Sequence, residues 1–507
     1  MRGPHNLWRL IRTGATFERT GAMRIAIDLL DLSRPVKIAA RVLGVPFAPL
    51  GLKGDPSEPP VLRAIEALGP AYIKFGQLMS TRPDIVGAEM AAELRVLQDS
   101  LPAFPMEQAK ATIAAEFGES CEDIFSEFSE PVAAASIAQV HKARLKSDGR
   151  AVAVKILRPD IERAFGKDVD AFHFSAWLVE MISPASRRLR PRAVIEHFAT
   201  VVEQELDLRT EAAAASEFRA NSKDDAGFEV PKIVWDYSSR QVMVMDWEEG
   251  IPLADVDALA KSGHDLKQLG AHIVQTFLRH ALRDGYFHAD MHQGNLKLAP
   301  NGDLIALDFG IMGRIDTYTR RVYAEILMGF IRRDYRRVAE VHFEAGYVPQ
   351  DQDVDAFAQS LRAVGEPIFG QDATQISMAR LLSHLFEVTE RFGMQTRTEL
   401  ILLQRTMVVV EGVGRSLDPT LNIWSTARPV VEQYITENLG PKAILADLGK
   451  AAQSLARFGP RLPEIIDRYL AEPEPEEKSR NLKTVLGYLG AVFGGILLGG
   501  ALAFWLL

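Results

Sequence analysis

Cysteine is almost missing from this chain. One residue, Cys121, stands among 507, which excludes an intramolecular disulfide and any zinc site built from several thiolates, and suits a reducing compartment. An excess of positive charge is missing too. Lys and Arg number 58 against 67 Asp and Glu, for a formal net charge of −9, so the chain lacks the basic balance of a protein made to coat nucleic acid and no nucleic-acid partner is expected. The first residues do not read as a secretory signal. At the other end charge disappears: Thr484 to Leu507 carries no charged side chain. As a helix this stretch would reach roughly 36 Å, enough to cross a hydrocarbon core of about 30 Å, and it predicts a single C-terminal membrane span. Lys478, Arg480 and Lys483 precede it, which predicts that the large domain lies on the cytoplasmic side of an inner (cytoplasmic) membrane. The spacings Gly490 to Gly494 and Gly495 to Gly499 match close helix packing and suggest a homodimer through the span.

What the chain does have is concentrated in one stretch. Asp284-Gly285-Tyr286-Phe287-His288-Ala289-Asp290-Met291-His292-Gln293-Gly294-Asn295 is followed by Asp308-Phe309-Gly310. An Asp, an Asn five residues on, and a second Asp in an Asp-Phe-Gly turn are what phosphoryl transfer from a metal-bound nucleotide needs. The first Asp orients or deprotonates an acceptor, while Asn and the second Asp hold Mg²⁺ against phosphates. Asp303 to Asp308 reads as a short apolar strand that delivers its last residue to the turn. This order resembles the catalytic centre of the protein-kinase fold. His288 and His292 flank Asp290, but oxygen ligands for Mg²⁺ suit the setting better than imidazoles for zinc, and His288 reads as a structural loop residue.

Upstream, about 125 residues read as a helical extension. Arg2, Arg9, Arg12, Arg19 and Arg24 alternate with Leu7, Trp8, Leu10, Ile11 and Phe17, which fits either an amphipathic helix on anionic lipid or a frayed, solvated terminus. Pro59-Pro60 opens a helix near Val61 that Gly69-Pro70 breaks, and a second helix runs from Ala71 to Thr81, stopping before Pro83. On it Lys74, Gln77 and Thr81 form a polar stripe, and Tyr72, Phe75 and Met79 an apolar one. Gly76 costs a helix about 1 kcal/mol relative to Ala and points to close approach of another backbone.

From Glu130 short β-rich runs take over. Pro131 to His141 leads into Ala143-Arg144-Leu145, then a turn at Ser147-Asp148-Gly149, then a strand Ala151 to Leu157 with Lys155 near its end. A kinase places its phosphate-covering loop and nucleotide lysine here, although alanine replaces the usual glycines and predicts a stiffer loop. A long helix from about Arg192 to Ala220 carries Glu203, Glu205, Asp207 and Glu211. Asp207 and Glu211 share a face of it, whereas Glu205 and Asp207 point about 200° apart. An acidic run so divided reads as a solvated helix face or, if both acids are engaged, as the place of a partner besides the lysine. Gln241 to Met245 reads as a buried strand, and Asp246 to Gly250 as a hinge between lobes. Beyond Leu253 helices are expected over 317–333, 353–363, 376–393 and 397–414, with a closing helical section to about 470. These boundaries describe an α+β, two-lobed, protein-kinase-like fold: an N-terminal helical extension (1–125), an N-lobe (126–250), a C-lobe with closing helices (251–470), a charged linker (471–483) and the membrane helix (484–507). No Ala-Pro-Glu follows Asp308-Phe309-Gly310, so a platform for protein substrates is not expected.

Taken in order, these pieces resemble the UbiB (AarF-type) family of atypical kinase-like proteins over nearly the whole chain. Lys74-Phe75-Gly76-Gln77 is similar to its KxGQ signature, and Val132, Ala133, Ala134, Ala135, Ser136, Ile137, Ala138, Gln139 and Val140 resemble its Ala-rich loop. Val152-Ala153-Val154-Lys155 resembles the nucleotide-lysine strand. Glu205-Leu206-Asp207 resembles the ExD pair, with Glu211 as the helix glutamate, and His288-Ala289-Asp290, Asn295 and Asp308-Phe309-Gly310 complete the set. Met291 and Gln293 depart from the family by standing where many members carry proline, Asp246 stands where glutamate is usual, and the alanines after Glu211 lack an Asn often found there.

The resemblance implies N-terminal helices folded over the site, with Lys74 brought near Glu205 and Asp207. It implies ATP (or ADP) and Mg²⁺ as cofactors. Lys155 would contact the α- and β-phosphates under the guidance of Glu211, Asn295 and Asp308 would hold Mg²⁺, and Asp290 would position the acceptor. Lys74 would serve catalysis, with Gln77, Glu205, Asp207 and the Ala-rich loop around the nucleotide. It also implies a role in ubiquinone biosynthesis, with membrane lipids or quinone precursors and quinone-biosynthesis enzymes as partners. A membrane-anchored ATPase or small-molecule kinase is the leading expectation. A true protein kinase and a non-catalytic nucleotide- or lipid-binding scaffold are the alternatives.

Overall fold

The computed structural model describes residues 5–29, 45–80, 86–94, 96–97, 103–182, 190–370, 384, 387–388, 391–394, 398–438 and 440. The membrane stretch 484–507, the linker, the closing section beyond 440, Thr81 and most of 376–393 lie outside them. Among the described residues no helix is long and apolar enough to cross a membrane.

The N-terminal extension is helical: α1 (His5–Thr20), α2 (Ala22–Leu29), α3 (Pro60–Leu68), α4 (Pro70–Ser80) and α5 (Ala88–Leu94). Proline at the first position opens α3, and Gly69 closes it at φ 100°, where its amide reaches the Ile65 and Glu66 carbonyls. The first helix is neither frayed nor free to lay its buried side on lipid. Ala15 and Thr16 are buried, the Thr13 hydroxyl meets Tyr72 at 2.5 Å, and Arg9 is ion-paired to Asp168. Gly76 also answers to a different neighbour than expected. A Cβ there would stand 2.4 Å from a Leu97 methyl and 3.2 Å from an Ile65 methyl, so side chains, not a second backbone, require the glycine.

The strand section begins at Phe125 rather than Glu130, after α6 (Met106–Phe117) and α7 (Cys121–Ile124). Four antiparallel strands follow the order β1 (Phe125–Ala134), β2 (Ala138–Leu145), β3 (Ala151–Leu157), β5 (Val242–Asp246). Side chains alternate between faces of a strand. Val152, Val154 and Ile156 therefore enter one cluster with Phe104, Ile113 and Ile124. Ala153 and Leu157 enter the main core, and Lys155 shares their face.

Between β3 and β5 lie α8 (Ile161–Ile182), α9 (Pro191–Glu205) and α10 (Leu208–Ser222). The sequence gives no warning of α8. The expected single helix over 192–220 is two, because the chain leaves helical geometry at Asp207 (φ −126°, ψ 94°), whose carboxylate caps α10 by accepting from the Arg209 amide. Asp207 and Glu211 thus share no helix face: one is the cap, the other lies in the first turn.

A second sheet of order β4 (Phe228–Glu229), β9 (Leu304–Ala306), β8 (Leu296–Leu298), β6 (Ile251–Pro252) forms the floor of the lower lobe, and β7 (Tyr286–His288) pairs with β10 (Met312–Arg314). Helices α11 (Val256–Lys261), α12 (Leu266–Arg279), α13 (Thr317–Arg332), α14 (Tyr335–Glu344), α15 (Val354–Gly370), α16 (Thr398–Leu417) and α17 (Ile423–Asn438) complete it. Of these α11, α12 and α14 fall outside the ranges expected from the sequence. One hydrophobic core runs from the N-terminal extension through both lobes, within a compact unit spanning Met1–Thr436.

Candidate active site

Strand β3 presents Lys155 to α10. Its ammonium donates to both oxygens of Glu211, at 2.6 and 2.8 Å, and to Asp308 at 3.0 Å. Burial opposes the lysine's charge, yet the carboxylates of Asp308 and Glu211 overcome it and hold its pKa above the ordinary lysine value. Asp308 is likewise disfavoured by burial, but Lys155 and the Gly310 amide keep it well below the usual carboxylate range. Burial pushes Glu211 up against the pull of Lys155. Of the two carboxylates, Asp308 is therefore the one held firmly ionised.

Two turns beyond Glu211 on the same face of α10, Phe218 packs on Phe309 at 6.1 Å. It also meets His280 at 4.7 Å and Phe228 at 5.7 Å edge to face. Helix α10 thereby holds the lysine's partner at one end and the phenylalanine of the Asp-Phe-Gly turn at the other. Below that contact the π-turn His280–Asp284 is tied by Arg283, which donates to Asp225 at 2.5 and 3.0 Å and to Asp284 at 2.7 and 2.8 Å. Neither Phe218 nor this cluster is named by the sequence motifs. Phe218 could have been found from its spacing to Glu211; Asp225 and Arg283 meet only in the fold.

The loop after β7 carries Asp290, about a third exposed. Its amide donates to Nδ1 of the buried His288 at 3.1 Å, and burial holds that imidazole below the usual histidine value. Asn295 turns its amide nitrogen to the Asp290 carbonyl at 3.0 Å and carboxylate at 3.3 Å, which leaves the amide oxygen as its donor toward a cation. His292 lies 3.6 Å from Asp290. Among the described residues no group of three His, Cys, Asp or Glu is arranged around a metal.

The Ala-rich segment divides by register. Ala133, Val140, Lys155 and Met243 form one row across the sheet, with Ala138 two places along β2 on the same face. Gln139 does not join them. It pairs opposite Ile156 on the reverse face, where its amide oxygen accepts from the Phe104 amide at 2.9 Å and its nitrogen meets His141 at 2.8 Å. At the turn, the Ala135 amide reaches the Ala138 carbonyl at 2.7 Å, Ser136 is buried, Val132 is half exposed, and Ile137 accepts from the Arg158 amide at 2.8 Å. The Arg158 guanidinium grips the Ala135 carbonyl at 2.9 and 3.2 Å, a restraint the motif does not announce.

The N-terminal signature meets the end of α9. Lys74 lies 3.3 Å from Glu205, whereas Asp207 turns to Arg209 at 2.6 and 2.9 Å. Gln77 donates to the Leu97 carbonyl at 3.3 Å, and Phe75 packs between Phe172 and Phe198 at 5.1 and 5.3 Å. The hinge residue Asp246 accepts from Arg150 at 2.8 Å. After Gly310 the chain pairs at once as β10 and enters α13 through the cap Asp316.

An ABC1 atypical kinase-like domain matches residues 96–342, and a UbiB helical domain matches residues 361–422. The chain is similar to the probable protein kinase UbiB of Aeromonas hydrophila subsp. hydrophila, at 41% identity over 420 residues, 82% of this chain and 77% of that one. It is similar to the probable protein kinase UbiB of Marinobacter nauticus at 40% identity over 408 residues, 80% and 74% of the two chains. Among solved structures it resembles that of the Rv3197–erythromycin complex from Mycobacterium tuberculosis, with a TM-score of 0.51 and 25% identity over 70% of this chain and 90% of that one.

Proposed function

The chain belongs to the UbiB family of ABC1-type atypical kinase-like proteins, and from that membership we propose an ATP-dependent phosphotransferase or ATPase at a membrane, acting in ubiquinone biosynthesis. The observation that carries the reading is Lys155 held between Glu211 and Asp308. A buried ammonium shared by two carboxylates is poised to meet phosphate oxygens while one carboxylate keeps its charge for a cation.

The residues fit Mg²⁺, which takes hard oxygen ligands. The ionised Asp308 and the amide oxygen of Asn295 would hold it, and when bound it would neutralise phosphate charge. Lys155 binds the α- and β-phosphates, and Glu211 fixes the direction of its ammonium. Asp290 orients an acceptor hydroxyl or water and receives its proton. Ala133, Ala138 and Val140 roof the nucleotide on the Lys155 face, the rest of the Ala-rich turn flanks it, and Gln139 acts from behind by bracing the strand. Lys74 and Glu205 join the N-terminal extension to the end of α9, just before the cap of α10 that carries Glu211, with Gln77 anchoring that cover. The direct passage from Asp-Phe-Gly through β10 to α13 favours water or a small lipid or phenolic hydroxyl over a protein side chain. Membrane lipids, quinone precursors and quinone-biosynthesis enzymes are its proposed partners, with attachment and self-association through 484–507.

The test follows the γ-phosphate of labelled ATP with the full-length chain in lipid, Mg²⁺ and a membrane extract, beside Asp308→Asn. Wild type should transfer or release label and the variant should lose more than about 10³-fold, as expected for a residue that stabilises transferring charge. Free phosphate would identify an ATPase, and label on a lipid or phenol a small-molecule kinase. Label on protein would favour the protein-kinase alternative. Retained label with nucleotide binding intact would refute catalysis in favour of a scaffold.

A further inference from the structure

Helix α16 lies beyond the kinase-like match and within the helical section, yet its side chains grip the loop that carries Asp290. Thr406 is fully buried, and its hydroxyl lies 3.0 Å from the Ala289 carbonyl and 2.8 Å from the Leu402 carbonyl of its own helix. Further along, Ser416 accepts from the Gln293 amide at 2.6 Å. The two contacts fall on either side of Asp290, about 15 Å apart along the helix axis.

The helix is itself tightly seated on the stem of that loop. A Cβ on Gly270 of α12 would stand 2.9 Å from the Gly414 carbonyl oxygen, and one on Gly414 would stand 3.3 Å from the Gly270 oxygen. Only paired glycines let these backbones approach so closely. Helix α12 then continues through the π-turn into β7, so α16 touches both the stem and the tip.

The peptide unit joining Ala289 to Asp290 is held at both ends. Its carbonyl faces Thr406 at 3.0 Å, and its N–H donates to His288 at 3.1 Å. Rotation of that plane would carry the Asp290 side chain with it. We propose that α16 is the positioning element of the catalytic loop: Thr406 sets Asp290 through the Ala289 carbonyl, and Ser416 steadies the loop toward Asn295 through Gln293. This rests on the phosphoryl-transfer reading and extends it, giving the helical section a part in the chemistry.

The experiment compares Thr406→Val, which keeps shape and removes the hydroxyl, with Thr406→Ser, which restores it. Full-length protein in lipid is assayed for kcat and KM with Mg-ATP, and for amide hydrogen exchange over residues 289–295. Thr406→Val should lower kcat about tenfold, as a small misplacement of a reacting group does, with KM within about twofold. Exchange in the loop should rise, and Thr406→Ser should restore both. Unchanged exchange and kcat in Thr406→Val would overturn the inference. So would a parallel loss of nucleotide affinity that serine fails to rescue, since that marks a folding role alone. A wild-type chain without turnover would sink the phosphoryl-transfer reading instead, and loop exchange would still decide whether α16 holds the loop.

Discussion

Two lysine–glutamate pairs take their glutamates from the neighbouring helices α9 and α10, and they are built differently. Lys155 meets both oxygens of Glu211 and shares Asp308, on a strand whose two faces are both packed. Lys74 meets Glu205 at 3.3 Å, and its helix comes from the N-terminal extension. The break at Asp207 separates the two glutamates. It lets Glu205 face the extension while Glu211 faces the sheet, which one straight helix would not arrange so freely. The difference teaches that similar charges serve as a fixed anchor in one place and as a contact between segments in the other.

The sharpest way to break the comparison is Lys155→Met. It leaves Glu211 buried without its cation, and breaking a buried pair from one side costs about 3 kcal/mol. Turnover should vanish with it. Urea denaturation should give that deficit at neutral pH. The deficit should begin to shrink above the ordinary carboxylate value near 4, because burial raises Glu211 and the variant takes up a proton there that removes the uncompensated charge, and it should shrink further below about 4 as the wild type loses the ionised Asp308. A deficit that is small at neutral pH, or that grows toward acid, would show that the cluster is not the anchor described.

Much of the anchor was legible because its parts are sequence-local. Lys155 lies near the end of a strand with a period of two, Asp308 follows another that stops at Ala306, two residues short of the strand expected to reach it, and Asp290 and Asn295 share a loop. Their register then follows from the hydrophobic alternation of β2 and β3, which also turns Gln139 away, a consequence the motif alone conceals. The contact between segments was less legible. Lys74 and Glu205 could be associated through a family resemblance, but Asp207 reads as a second acid until its backbone is seen to start a helix. Helix α8, which supplies Phe172 to Phe75 and Asp168 to Arg9, carries no motif at all. Thr406 and Arg158 act through backbone carbonyls, and any residue type can offer a carbonyl, so sequence holds no trace of the partner.

Gly76→Ala sharpens the comparison from the packing side. The added methyl improves helix propensity by up to about 1 kcal/mol, but it stands 2.4 Å from a Leu97 methyl, and overpacking of this kind costs about 1–3 kcal/mol. We expect a net loss of up to about 2 kcal/mol in thermal or urea unfolding. Leu97→Ala in the same chain should recover part of it, because the clash is with a side chain that can be shortened. Failure of Leu97→Ala to compensate would mean that the glycine answers to something other than that methyl.

Lys74→Met should have a smaller effect on stability than Lys155→Met, about 1–2 kcal/mol, since Lys74 and Glu205 are largely buried but Met retains the stem's packing and the lost cation faces Glu205 rather than both Glu211 and Asp308. The comparison predicts that Glu205→Gln costs a similar amount and that the double variant costs little more than either alone, the signature of a shared interaction. Additive losses would mean that Lys74 and Glu205 are stabilised by separate neighbours. A loss as large as that of Lys155→Met would erase the distinction between anchor and contact, and the N-terminal extension would then have to be counted as part of the same rigid site.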